Sequence, residues 1–224
     1  MHIDQLSIEV TRKCNMSCEH CLRGHAENRN IDINLFQQFI RLNGIDSIGT
    51  LNITGGEPFM NPKAIIRISH VLYEQGISLG GFFLATNGTV FSYSVIESLS
   101  MLKEMVDEDE MFALMISEDD FHNKDMKRHP VWSLLSTGKK ETKREWVIAE
   151  GFGKEINPKG RLVHNQMWTW DNGDIIEGMI YINALGMVCK ECDYSYKSQQ
   201  YKNIGHCLGK KLIEMEDNDY ETQD

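Results

Sequence analysis

The sequence predicts an α/β fold, a partial (βα) barrel with a small carboxy-terminal β-hairpin extension. Three observations predict it. Apolar, β-branched runs alternate with helical stripes at intervals of about 30 residues, the rhythm of right-handed βαβ units and a parallel sheet. Past the fourth unit the rhythm loosens, and the stretch from Ala149 to Arg161 holds Gly151, Gly153, Pro158 and Gly160 in only about a dozen residues, too few for a crossover helix. From Asn172 the pattern changes to alternation. There Asp174–Asn183 and Gly186–Lys190 are joined through Ala184-Leu185-Gly186, which marks an antiparallel hairpin outside the parallel sheet.

Each element has its own signal. Ile3 to Val10 is a short β-branched run that leads into TRKCNMSCEHCLRG, a segment without periodicity and therefore a loop. Ile33, Phe36, Phe39, Ile40 and Leu42 recur at near-helical spacing, with Asp32 placed to cap the first turn. Gly49–Thr54 is the second strand and ends in Gly55-Gly56. A helix with Pro62 near its start buries Ile65, Ile66, Ile68, Val71 and Leu72. Gly81–Thr86, Ser92–Met105 and Met111–Ser117 follow as strand, helix and strand. A further helix is expected within 122–137 and a fifth strand at Glu145–Ala149.

The expected division is a barrel core at 1–157, an extension at 158–213 carrying the hairpin and a C-x-x-C, and a tail at 214–224. The tail has six acidic residues among eleven and no apolar face, the composition of a disordered segment.

Composition narrows the function. The 224 residues are 41% hydrophobic and 25% charged, as in an ordinary globular chain. Against 33 acidic residues stand 23 basic ones, and the net charge of -10 argues against a surface built to neutralise nucleic-acid phosphates. The basic run Lys139, Lys140, Lys143 and Arg144 is broken by Glu141 and reads as a solvated segment. No run approaches the roughly 20 apolar residues of a membrane helix, and MHIDQLSIEV lacks the features of a signal peptide. The expectation is a cytoplasmic protein, in which clustered thiols are metal ligands or catalytic groups more often than disulfides.

Cys14, Cys18 and Cys21 form C-x3-C-x2-C directly after the first strand, at its carboxyl end, the rim where βα barrels place their active sites. Three thiolates on one loop can each take an iron of a cubane [4Fe–4S] cluster and leave the fourth iron open. Two other uses stand beside this: a zinc site completed by His20, His25 or a distant cysteine, and a redox pair from Cys18 and Cys21.

The run from Thr11 to Cys21 resembles the cluster loop of radical S-adenosylmethionine (radical SAM) enzymes. Gly55-Gly56-Glu57-Pro58, after the second strand, is similar to that family's GGEP motif, and Thr86-Asn87-Gly88, after the third, to its TNG segment. The resemblance covers about residues 5–120. It implies that Cys14, Cys18 and Cys21 hold a [4Fe–4S] cluster whose open iron is chelated by S-adenosylmethionine. It further implies reductive cleavage to a 5′-deoxyadenosyl radical that abstracts hydrogen from the substrate, with electrons from a reducing donor.

By the same resemblance, Gly55 and Gly56 let the backbone approach the cofactor, and Glu57 offers a carboxylate to its ammonium group. His20 stands where relatives place an aromatic residue near the adenine. Ser117 supplies a polar group for the ribose or carboxylate. Asn87 is assigned to the cofactor site or to bracing the third loop, and Asp119-Asp120-Phe121-His122 resembles a Ser-x-Asp…His stretch loosely.

Residues 158–205 resemble the region after the barrel in peptide-modifying relatives, whose SPASM and twitch extensions bind auxiliary clusters. Here only Cys189, Cys192 and Cys207 are available, so a second metal site is left open beside the reading of leftover thiols. Trp168, Trp170, Tyr181, Tyr194 and Tyr196 read as hairpin packing. The expected substrate is a peptide or protein side chain. A nucleotide-like metabolite, and a non-catalytic iron–sulfur or zinc module, are the alternatives.

Overall fold

The computed structural model describes residues 1–106, 112–119, 121–122, 126–139, 148, 150–156, 169–189 and 192–215. Its strands are β1 (His2–Thr11), β2 (Ser47–Gly55), β3 (Ser78–Thr86), β4 (Phe112–Ile116), β5 (Gly138–Lys139), β6 (Thr169–Asp171), β7 (Asp174–Ile182), β8 (Met187–Cys189) and β9 (Asn203–His206). The helices are α1 (Ile33–Asn43), α2 (Pro62–Glu74), α3 (Tyr93–Met105) and four single turns, α4 (Trp132–Leu135), α5 (Gly153–Ile156), α6 (Tyr196–Gln199) and α7 (Leu212–Met215).

The strands join in one sheet of order β5-β4-β3-β2-β1-β7-β8-β9, with β6 paired to β7. From β5 to β7 along that order every pairing is parallel. The sheet is not closed. An α/β architecture with a mostly parallel central sheet is therefore what the chain adopts, as its βα rhythm predicts.

Strand β1 is the spine. Leu6 to Thr11 are buried without interruption, the pattern of a central parallel strand covered on both faces. Ile8 is fully buried, and burial of one such side chain contributes about 1.5–3 kcal/mol. Helix α1 starts where Asp32 accepts a hydrogen bond from the Asn34 N–H at 3.0 Å, and it stops at Gly44, whose φ of 58° suits a residue without Cβ. Its buried face is Phe36, Phe39 and Ile40, whereas Leu42 is exposed. Helix α2 has Pro62 in its first turn and adds Ala64 and Ser69 to the buried stripe, with Ile66 only half-buried.

Three expectations change. The hairpin β7–β8 exists, but it does not stand outside the parallel sheet: β7 lies parallel to β1, with Leu6 opposite Ile180 and Ile8 opposite Ile182. The alternation that identifies a strand says nothing of its partner, and β1 had a free edge to fill. A fifth parallel strand forms at Gly138–Lys139, while the one expected at Glu145–Ala149 falls almost wholly outside the described residues. Within 122–137 the described helix is the single turn α4. Residues 157–168 and most of the acidic tail also lie outside the described residues.

The hairpin is bound to the spine by buried polar groups. Glu9 is fully buried. One of its oxygens accepts from Arg12 Nε at 2.8 Å and the Ala184 N–H at 3.0 Å, the other from Tyr181 Oη at 2.6 Å and Gln199 Nε2 at 3.1 Å. Arg12 also donates to Glu27 at 2.9 Å and to Gln199 Oε1 at 2.6 Å. A buried charge held by four donors on the carboxylate and two further acceptors on the guanidinium meets the condition under which such a pair is tolerated in a core.

Candidate cofactor site

At the carboxyl ends of β1 to β4 the loops converge on a cavity of about 240 Å³. Cys14, Cys18, Cys21, His20, Gly55, Gly56, Glu57, Asn87 and Ser117, every site residue predicted from sequence, line it. Asp119 is absent from the lining, while His122 and Tyr196 join it.

The three cysteines are half-buried free thiols. Their loop is turned by hydrogen bonds from the Cys21 N–H to the Cys18 carbonyl at 3.0 Å and from the Gly24 N–H to the Cys21 carbonyl at 3.2 Å. The Met16 N–H points at the Cys14 sulfur, 3.4 Å away. Burial pushes the Cys14 thiol above its ordinary value, with the neighbouring Glu57 and Cys21 charges adding to it. A bound metal removes that proton.

Gly55 and Gly56 are required by the cysteine loop itself. A Cβ on Gly55 would sit 2.4 Å from the Thr11 carbonyl oxygen, and one on Gly56 2.3 Å from that of Lys13 and 3.0 Å from Cys14 Cβ. The backbones are tied at that approach, with the Gly56 N–H donating to Thr11 and the Glu57 N–H to Lys13, both at 2.8 Å. What the sequence reading assigned to contact with a ligand is first a contact between two loops.

Glu57 is likewise turned inward. One oxygen accepts from Thr86 Oγ1 at 2.8 Å and the Phe59 N–H at 3.2 Å, and the other from the Asn87 N–H at 2.8 Å. Burial raises its carboxyl to about 7 against those three donors. Asn87 passes the connection on: its side chain donates to Asn15 Oδ1 at 2.9 Å and accepts from Thr89, while Asn15 donates to Thr89 Oγ1 at 2.6 Å. The bracing role weighed for Asn87 is the one its contacts fill. Asn15 and Thr89 complete the lattice, and as short polar loop residues they carry no signal that separates them from ordinary loop polarity.

Ser117 directly follows β4, its N–H bonded to the Thr86 carbonyl at 2.8 Å. His20 is buried against Phe121 and His122, with ring centroids 5.4 and 5.0 Å away, and its Nε2 lies 3.6 Å from Asp119. Asp119 in turn is 2.6 Å from His122 Nδ1 and accepts from the Phe121 N–H at 3.1 Å. Among the described residues, these three are the group of ligating side chains whose donor atoms all lie within 4.8 Å of one another. Their contacts fix the His20 ring on the cavity wall.

Neither Cys14, Cys18 and Cys21 nor Cys189, Cys192 and Cys207 belong to that group, so the burial of Cys189 and Cys207 is what separates the two sets of thiols. Cys207 belongs to the hydrophobic core, and burial pushes Cys189 up to about 12 and Cys207 up to about 11, the behaviour of packed neutral thiols. Cys192 is half-buried, its thiol 3.4 Å from Asp193. The carboxy-terminal segment reaches the site through a different residue. Tyr196, which sequence patterning assigns to packing, is buried beneath the Arg12 guanidinium and is also one of the residues that border the cavity. Three thiols from one short loop that line a single cavity make a donor set that fits an iron–sulfur cluster with one iron left open.

A sequence model of the Radical SAM superfamily matches residues 8–146, and the chain belongs to that superfamily of enzymes. The uncharacterized protein MJ0907 of Methanocaldococcus jannaschii is 25% identical over 99 residues, 43% of this chain and 35% of that protein. The match thus spans about a third of that relative's length. SuiB of Streptococcus suis, solved with precursor peptide SuiA, aligns with 51% of this chain and 24% of its own at 20% identity and a TM-score of 0.38. The chain anSMEcpe, solved with bound AdoMet, aligns with 96% of this chain and 80% of its own at 11% identity and a TM-score of 0.61, which shows a shared fold. Among the described residues no helix is long and apolar enough to cross a membrane.

Proposed function

We propose that this chain is a radical SAM enzyme that holds a [4Fe–4S] cluster on Cys14, Cys18 and Cys21 and reductively cleaves S-adenosylmethionine to abstract hydrogen from a peptide or protein side chain. The observation that carries the reading is the convergence of these thiols with Gly55, Gly56, Glu57, Asn87 and Ser117 on one cavity. When bound, the cluster and S-adenosylmethionine together supply the 5′-deoxyadenosyl radical chemistry.

The chain's own residues position and enclose. Gly55 and Gly56 bring backbone without a side chain to the cavity lining, and backbone carbonyls there can accept from an ammonium group. Glu57, held by Thr86 and Asn87, keeps the loops after β2 and β3 in one register with the cysteine loop. His20 offers a flat ring for an adenine, and Ser117 a polar group for the ribose or the methionyl carboxylate. The half-buried loop limits access of water and oxygen to the thiols.

An open sheet supports a peptide substrate, since unclosed βα architecture leaves lateral room for a chain to enter. The similar protein anSMEcpe has been solved with a bound Kp18Cys peptide, which is a property of that protein. The test is anaerobic reconstitution followed by dithionite and S-adenosylmethionine. Wild type should release 5′-deoxyadenosine, and Cys18→Ala should release none. An intact cluster with no product would favour a binding module instead.

A further inference from the structure

We propose that His20, Asp119 and His122 form a metal site of their own, which takes a first-row divalent transition metal with zinc as the reference ion. The inference does not depend on the cluster reading above, because its three donors are nitrogen and oxygen and none is a thiol.

The three side chains come from two loops. His20 belongs to the cysteine loop after β1, whereas Asp119 and His122 follow β4, much later in the chain. Their donor atoms nonetheless all lie within 4.8 Å of one another. His20 Nε2 is 3.6 Å from one Asp119 oxygen, and His122 Nδ1 is 2.6 Å from the other. Zinc bonds of about 2.0–2.2 Å place neighbouring donors about 3 to 3.5 Å apart. The two separations fall on either side of that range, and a small turn of the carboxylate moves both toward it. The ion takes the place of the proton that His122 and Asp119 share.

The donors are held in advance. The Asp119 side chain has no exposure, and the two imidazoles keep 9% each. A carboxylate taken this fully out of water is stabilised by a cation at bonding distance. The loop folds to hold it, with the His122 N–H donating to the Asp119 carbonyl at 3.2 Å. The Phe121 N–H donates to Asp119 Oδ1 at 3.1 Å, the kind of bond that orients a ligating carboxylate. Arg128 fastens the end of β4 by donating to the Ser117 carbonyl at 3.2 Å and to Glu118 at 3.3 Å.

The donor set chooses the metal. Two imidazoles and one carboxylate suit zinc, iron(II) and related ions, whereas magnesium and calcium take oxygen donors. Three protein ligands leave a fourth position open, as in catalytic rather than structural zinc sites. His20 and His122 border the cavity and Asp119 does not, so an ion held by them belongs to the wall of the cavity rather than to its centre. A ring nitrogen binds through a lone pair in the plane of the ring. Coordination at Nε2 therefore uses the edge of His20 and leaves its faces for an adenine.

The experiment has two arms, both on the full-length chain. In the first, a variant combining Cys14→Ala, Cys18→Ala and Cys21→Ala is titrated with Co²⁺, and circular dichroism checks its fold. It should bind one equivalent with visible d–d absorption and without the near-ultraviolet band of a thiolate–cobalt bond. In the second, cluster-loaded wild type is mixed with Zn²⁺, desalted and assayed for metals, and one zinc should accompany four irons. Adding His122→Gln or Asp119→Asn should weaken binding in either arm by more than the roughly 10–100-fold that loss of an outlying partner costs, at unchanged iron content. A folded thiol-free variant without that cobalt spectrum, or binding that neither substitution weakens, would overturn the proposal and leave the cluster reading intact. Should the thiol-free variant not fold, the zinc arm decides: zinc absent from wild type, or retained in both substituted proteins, overturns the proposal. A wild-type chain that takes up no irons overturns the cluster reading instead, and the cobalt arm then decides the metal site.

Discussion

The backbone N–H of Asn87 donates to the Glu57 carboxylate at 2.8 Å, joining the loop after β3 to the loop after β2 inside a site that must also hold the cysteine loop. Through Asn87 the connection continues to Asn15, one residue past the first thiol. Two sequence motifs that look like separate ligand contacts are thereby one brace.

That brace has a pH signature. Burial raises the Glu57 carboxyl from 4.5 to about 7 in the folded chain. Below 4.5 both states carry the proton. Between the two values the unfolded chain has lost a proton that the folded chain keeps, so this group lowers stability as pH rises and its effect levels off above 7. The full span amounts to about 3 kcal/mol. Urea unfolding of metal-free protein from pH 4.5 to 8 should show a decline of that order in wild type relative to Glu57→Gln, which has no proton to lose there. Parallel pH profiles for the two proteins would contradict the assignment.

Glu9 concerns the attachment of the hairpin. Glu9→Ala leaves Arg12 buried beside a missing partner and frees the donors of Tyr181, Ala184 and Gln199. The expected loss is about 3–5 kcal/mol in urea or thermal unfolding, where an exposed carboxylate would cost well under 1. A loss below about 1 kcal/mol would show that the network does not hold β7 to β1.

Gly56→Ala tests the contact between loops. Its Cβ would lie 2.3 Å from a backbone oxygen, which cannot swing aside as a side chain end would. The expected outcome is a lower unfolding midpoint together with reduced iron uptake, because Lys13 and Cys14 must move to make room. Gly44→Ala is the control, since it meets nothing within 4 Å and bears only the strain of a positive φ. Equal iron uptake by the two variants would refute the link between Gly56 and the thiols.

Much of this was legible in the amino-acid order. The βα rhythm gave β1 to β4 and α1 to α3 within a few residues, because each buries an apolar stripe of its own period. The site residues could be located because short motifs sit at strand ends. Pairing was harder: nothing in the alternation of Asp174 to Ile182 says that β7 turns parallel to β1. Direction of side chains was hidden too. Glu57 turns to Thr86 and Asn87, and Glu9 reaches Gln199, about 190 positions away.

The central claim is that the loop thiols hold four irons and leave one for a small molecule. Mössbauer spectroscopy of ⁵⁷Fe-reconstituted protein, recorded with and without S-adenosylmethionine, tests it most directly. The expected spectrum is that of a cubane cluster in which one iron of four changes its parameters when S-adenosylmethionine is added. A preparation that binds a single zinc at Cys14, Cys18 and Cys21, or a cubane whose four irons are all indifferent to S-adenosylmethionine, would contradict it.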